Sequence, residues 1–123
     1  MSYMSSLYPI VAADRMALHQ IPEIGLCEYK TSEYIKNRLS ELKLTFESFG
    51  ETGILVYFKG ENPKKTVAFR TDIDALPVTE ESTYPAPSKH TGFMHGCGHD
   101  AHMSMMLVLV QYFADEKTTL NDN

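Results

Sequence analysis

The sequence predicts an α/β fold, and three stretches carry that expectation. Residues 65–70, reading Lys65-Thr66-Val67-Ala68-Phe69-Arg70, are short and apolar as a strand covered on both faces should be. Residues 28–42 place Tyr34, Ile35, Leu39 and Leu42 on one side of a helix, with Lys36, Asn37, Arg38 and Glu41 elsewhere. Residues 103–113, from Met103 to Phe113, are apolar almost all round, which predicts a buried helix after the strand.

In chain order, a first helix is expected over residues 8–20, where Ile10, Val11, Met16 and Leu18 recur among alanines until Pro22 stops it. His19 and Glu23 then flank a helix end, where capping accounts for both. Thr31 or Ser32 near the start of the second helix is a cap or a solvated first turn. Residues 45–49 and the clearer strand at 53–58 form a hairpin or neighbouring strands, and the second ends at Gly60 and Pro63. The strand at 65–70 runs into Asp72 and Asp74, so two carboxylates emerge at a strand's carboxyl end, where open α/β sheets bind ligands. Residues 78–93 show no periodicity and read as a long irregular loop, in which His90, Glu80 and Glu81 are solvated polar residues. Residues 115–123 read as a polar, turn-like tail, within which residues 118–123 are a turn of the kind that feeds the next strand of a βαβ unit.

The 123 residues carry a net charge of −5 with the two signs mixed, and the absence of a basic stripe argues against nucleic acid or an anionic membrane as partner. The apolar run at 103–110 is far shorter than the ~20 residues of a membrane span, and no secretory leader follows Met1. A soluble, cytoplasmic chain, one domain or a piece of one, is the resulting expectation. Of its two cysteines, Cys27 and Cys97, the second sits among histidines, and a reducing compartment suits a thiolate ligand there better than a long-range disulfide.

The densest chemistry is His95-Gly96-Cys97-Gly98-His99-Asp100-Ala101-His102, with three imidazoles, a thiol and a carboxylate in eight residues. Thiolate and neutral imidazole both prefer borderline-soft ions such as Zn²⁺. Glycines on either side of Cys97 let the backbone turn so that Cys97 and His99 share one ion. At a helix N-terminus the thiolate is favoured, and an anionic ligand offsets the positive helix end for a cation. Asp72 is placed to orient a metal-bound histidine through its second nitrogen, with a turn or cap as its plainer role. Asp74 fits a turn more readily, Arg70 fits a salt bridge with either carboxylate, and His102 fits a structural or supporting role. A thiol-hydrolase reading of Cys97 with a nearby histidine is the rival, but Cys97 and His99 are too close in sequence to flank a substrate. A metal site is the better reading.

Taken together, Leu18-His19-Gln20-Ile21-Pro22-Glu23-Ile24-Gly25, Arg70-Thr71-Asp72-Ile73-Asp74-Ala75-Leu76-Pro77 and the His95–His102 cluster resemble the metal-dependent amidohydrolases of the aminoacylase and carboxypeptidase family. Within it they are similar to the branch with hippurate hydrolase, N-acetyldiaminopimelate deacetylase and auxin-conjugate hydrolases. Gly96 departs from the usual alanine, and Ile21 and Leu26-Cys27 vary around the Pro-Glu turn.

The resemblance implies part of a di-metal, aminopeptidase-like, three-layer catalytic domain with a mixed, mostly parallel sheet. It implies two divalent ions (Zn, Mn, Co or Ni), Cys97 and His99 as ligands, Asp72 as the carboxylate that orients the site, and Asp74, Asp100 and His102 supporting them. The substrate implied is a small N-acyl amino acid or peptide, and the parent enzyme a homodimer. On the same basis residues 1–123 are the N-terminal part of the catalytic domain, with the glutamate proton carrier, further ligands and dimerisation domain outside it and the chain inactive alone. The alternative is a non-enzymatic metal-binding or thiol-reactive domain.

Overall fold

A computed structural model describes residues 3–115 and 119–123. Its elements run α1 (Tyr3–His19), α2 (Tyr29–Glu41), β1 (Glu47–Phe49), β2 (Gly53–Leu55) and α3 (His99–Ala114). Among the described residues no helix is long and apolar enough to cross a membrane.

The core lies where α1 crosses α3. Leu18, Met103 and Leu107 are buried there, and Tyr34, Ile35 and Ile73 pack around them. On α3 the buried positions are Asp100, Met103, Ser104 and Leu107, one stripe at helical spacing, while Met105 and Tyr112 are exposed. The expectation of a helix buried all round is therefore corrected. Only the α1-facing stripe is fully covered.

α1 begins before the predicted residue 8 and contains Pro9, and it ends at His19 ahead of Pro22 as expected. Asp14, buried on α1, accepts bonds from Tyr34 Oη (2.7 Å) and Arg38 Nε (2.8 Å) and so ties α2 to α1. Burial and that bond to Asp14 push the Tyr34 phenol above its ordinary pKa.

The start of α2 has no cap from its own N-cap residue, Glu28. Glu23 supplies one instead, accepting from Lys30 N (3.1 Å), Thr31 N (2.9 Å) and Thr31 Oγ1 (2.9 Å). A carboxylate on orphan N–H groups at the positive helix end is a favourable pairing. At the other end Leu44 N bonds Leu39 O (3.0 Å) and Lys43 N bonds Ser40 O (2.9 Å), with Lys43 left-handed at φ 58°, a Schellman closure.

β1 and β2 form the expected hairpin, antiparallel, with Ser48 opposite Ile54. Residues 56–58 lie beyond its ladder, so the second strand is shorter than predicted.

The strand predicted at 65–70 is not formed, and this stretch is exposed rather than covered on both faces, with Phe69 at 60%. A strand needs a partner along its length, and among the described residues the contact is local. Asn123 N bonds Lys65 O (3.2 Å) and Asn123 O accepts from Val67 N (2.9 Å), the pattern of a parallel pair. Glu61 N and Asn62 N bond Leu120 O and Asn121 O. Gly60 permits this approach, because a Cβ there would stand 2.3 Å from Asn121 O. The tail thus runs beside the predicted strand as a βαβ return would, although a mostly parallel sheet is not present among the described residues. The part of the expected turn at residues 116–118 lies outside them. Residues 78–93 form the irregular loop expected, closed at its base by the bridge between Leu76 and Met94.

Candidate metal centre

Residues 95–98 make a tight turn into α3, with Gly98 N bonded to His95 O (3.4 Å). Gly98 is left-handed at φ 77° and serves as N-cap without a side-chain bond, a conformation that favours glycine. Cys97 is exposed on this turn as a free thiol. Cys27 is also free and exposed, so the two do not form a disulfide.

His99, the first residue of α3, points its ring at the segment carrying Asp72 and Asp74. Its Nδ1 lies 2.9 Å from the backbone O of Asp74 and 3.0 Å from Asp74 Oδ1. A carbonyl oxygen can only accept, so Nδ1 carries the hydrogen and Nε2 keeps the lone pair with which imidazole binds a cation. It is Asp74, rather than Asp72, that contacts the His99 ring. Asp72 instead accepts from Arg70 Nη2 in an exposed pair, of a kind that contributes little to stability. Two residues further along an extended chain restore the same facing, so the Asp72-Ile73-Asp74 alternation offers both carboxylates, and only the fold selects one.

His102 is exposed, its ring 6.0 Å from that of His99. With Arg70, Asp72 and Met105 it lines an open groove of about 310 Å³ beside α3. Asp100 points the other way, fully buried against α1, with Oδ2 2.8 Å from His19 Nδ1 and 3.3 Å from Arg15 Nε. His19 Nε2 donates to Glu80 Oε1 at 2.8 Å. Bonds from the Ser82 hydroxyl, the Ser88 amide and His19 hold the Glu80 carboxyl down to about 2.

His19 and Glu80, read from sequence as a capping residue and a solvated one, are thus nearly buried and joined to the motif helix. His90 is likewise bound, its Nδ1 2.8 Å from Pro22 O. The signal that could have found His19 is its place in the Leu18–Gly25 motif, which sequence reasoning used only for the resemblance.

Glu80 sets an acid limit on the fold. Its folded value of about 2 lies below the ordinary 4.5, so its contribution is complete above pH 4.5 and is lost as pH falls towards 2. Urea unfolding over that range is expected to show stability declining with acid, with a shallower slope in Glu80→Gln.

His95 is buried with both ring nitrogens unpartnered, as is Asp100 Oδ1. Burial pushes the His95 imidazole below its ordinary pKa, against the pull of Asp100. Among the described residues no three His, Cys, Asp or Glu side chains converge as a metal cage. The donors nevertheless fit a soft divalent ion in kind, a thiol beside an imidazole whose other nitrogen is held by carbonyl and carboxylate. Cys97 and His99 would supply two of the four positions that a tetrahedral ion such as Zn²⁺ takes.

Residues 68–123 match the model of Peptidase family M20/M25/M40. The chain is 52% identical over 106 residues to an N-acetyldiaminopimelate deacetylase of Listeria innocua serovar 6a, a match covering 85% of this chain and 29% of that protein. It is 46% identical over 115 residues to the enzyme of the same name from Geobacillus sp. strain WCH70, covering 91% of this chain and 30% of that one. Its fold superposes with a TM-score of 0.85 and 29% identity on the crystal structure of the Bacillus subtilis YXEP protein, described as a dinuclear metal binding peptidase of the M20 family. That match covers 93% of this chain and 33% of the other. The α/β fold class expected from sequence is thereby borne out, and the chain spans about a third or less of the length of these relatives.

Proposed function

We propose that this chain forms one corner of the metal centre of an amidohydrolase that cleaves N-acyl amino acids or small peptides. One observation carries the reading: Asp74 takes up His99 Nδ1 through two oxygens, which leaves Nε2 for a cation two residues along the chain from the free Cys97 thiol. Cys97 as thiolate and His99 as neutral imidazole would hold a divalent ion (Zn, Mn, Co or Ni), with Asp74 fixing the ring. A bound ion polarises a carbonyl and lowers the pKa of water, the chemistry amide cleavage needs. The relatives named as deacetylases support an acetylated amino acid as substrate class. Most of each relative's length lies outside the match, and we assign the remaining ligands, the proton carrier and a dimerising domain to such sequence in a cytoplasmic homodimeric parent.

Titration of the chain with Co²⁺ tests this. Weak binding of one ion with thiolate-to-metal absorption is expected, and Cys97→Ser should abolish that absorption. Absorption that survives the substitution would remove Cys97 from the site and return the chain to its non-enzymatic alternative.

A further inference from the structure

The first turn of α3 has no side-chain cap, yet it carries the residue that must be aimed. Its restraint comes from within. Asp100 is 0% exposed and fastened to His19, 81 residues earlier, and Ser104 Oγ bonds back to Asp100 O (2.6 Å). Successive helical residues stand about 100° apart around the axis. Fixing Asp100 against α1 therefore fixes the direction in which His99 leaves the helix, toward Asp74.

His19 is itself held from behind. Glu80 grips its Nε2 and is in turn bonded by Ser82 and by Ser88 N (2.6 Å), while the Tyr84 ring stands edge-on at 4.6 Å. Arg15 lies over that ring at 5.1 Å and reaches Asp100 from the solvent side. Two carboxylates, one imidazole and one guanidinium thus link the end of α1, the 78–93 loop and the start of α3. Buried charges paired in this way are costly to break singly, because the residue left behind stays buried and unpaired.

We propose that His19, clamped between Asp100 and Glu80, is a positioning residue that sets the first turn of α3 and through it the aim of His99. Its value to a metal rests on the function proposed above, but the aim of His99 does not. The two substitutions that separate the arms of His19 are His19→Asn and His19→Gln. The asparagine amide stands where Nδ1 does and keeps a donor for Asp100. The glutamine amide reaches the place of Nε2 and keeps Glu80 while deserting Asp100.

The metal-free full chain, labelled with ¹⁵N in its histidines, gives the direct readout. His99 ring signals should stay in place in His19→Asn and move in His19→Gln, at melting temperatures lowered alike in both. With Co²⁺ as probe, His19→Gln should weaken binding by about tenfold or more, as loss of an outer partner of a ligand does, and His19→Asn by much less. His99 signals that stay put in His19→Gln, or move equally in both variants, overturn the inference whatever the ion does. If either variant does not fold, Glu80→Gln in the same readout replaces it: the retained amide oxygen still accepts from Nε2, so His99 signals should hold, and their displacement overturns the route through Asp100. Variants whose His99 signals respond as stated, together with a wild-type chain that shows no cobalt absorption, overturn the metal reading alone.

Discussion

Asp74→Ala is expected to weaken Co²⁺ binding by about tenfold, and Asp72→Ala to leave it nearly unchanged. Outer partners of metal-bound histidines are worth about 10–100-fold in affinity. The lower end applies because the backbone carbonyl of Asp74 still accepts from His99 Nδ1 when the carboxylate is gone. What is lost is the second oxygen and its charge. Asp72, engaged with Arg70 at the surface, has no such hold on the ring. Isothermal titration of both variants against the unaltered chain makes the comparison. Equal losses, or a larger one in Asp72→Ala, would return the orienting role to the residue first expected to fill it.

The largest effect on stability is expected from Leu18→Ala. Leu18 is wholly buried between α1 and α3, against Met103 and Leu107. Truncating a buried leucine costs about 2–5 kcal/mol through lost transfer energy and the cavity left behind. Domains of this kind are held by about 5–15 kcal/mol in all, so the substitution removes a large fraction of the total. Urea denaturation should show the midpoint falling with little change in slope. Tyr8→Ala, exposed on the same helix at 75%, serves as the control and should change little.

What could be read from the residues followed from local pattern. The apolar spacing of Tyr34, Ile35 and Leu39 defined α2 to within a residue at each end, because one turn of helix reports on itself. The hairpin and the Cys97-Gly98-His99 turn were legible in the same way. The choice between Asp72 and Asp74 was not, since both lie on the same side of an extended segment and only its offset along α3 decides which of them meets His99. Nor were the roles of His19 and Glu80, whose partners lie 81 and 61 residues away and leave no periodic mark. The apolar run at 65–70 was read as a covered strand because composition reports what a segment can pair with, not whether a partner stands there.

The crossing of α1 on α3 also governs the order in which the chain can fold. α1 is synthesised first, but the residues that bury Leu18, namely Met103 and Leu107, are made more than eighty positions later. At about 5–20 residues per second, α1 waits on the order of ten seconds at the ribosome for Met103 and Leu107, with Tyr34 and Ile35 of α2 already made to cover part of Leu18. Contacts so distant in sequence also slow the search once the chain is complete.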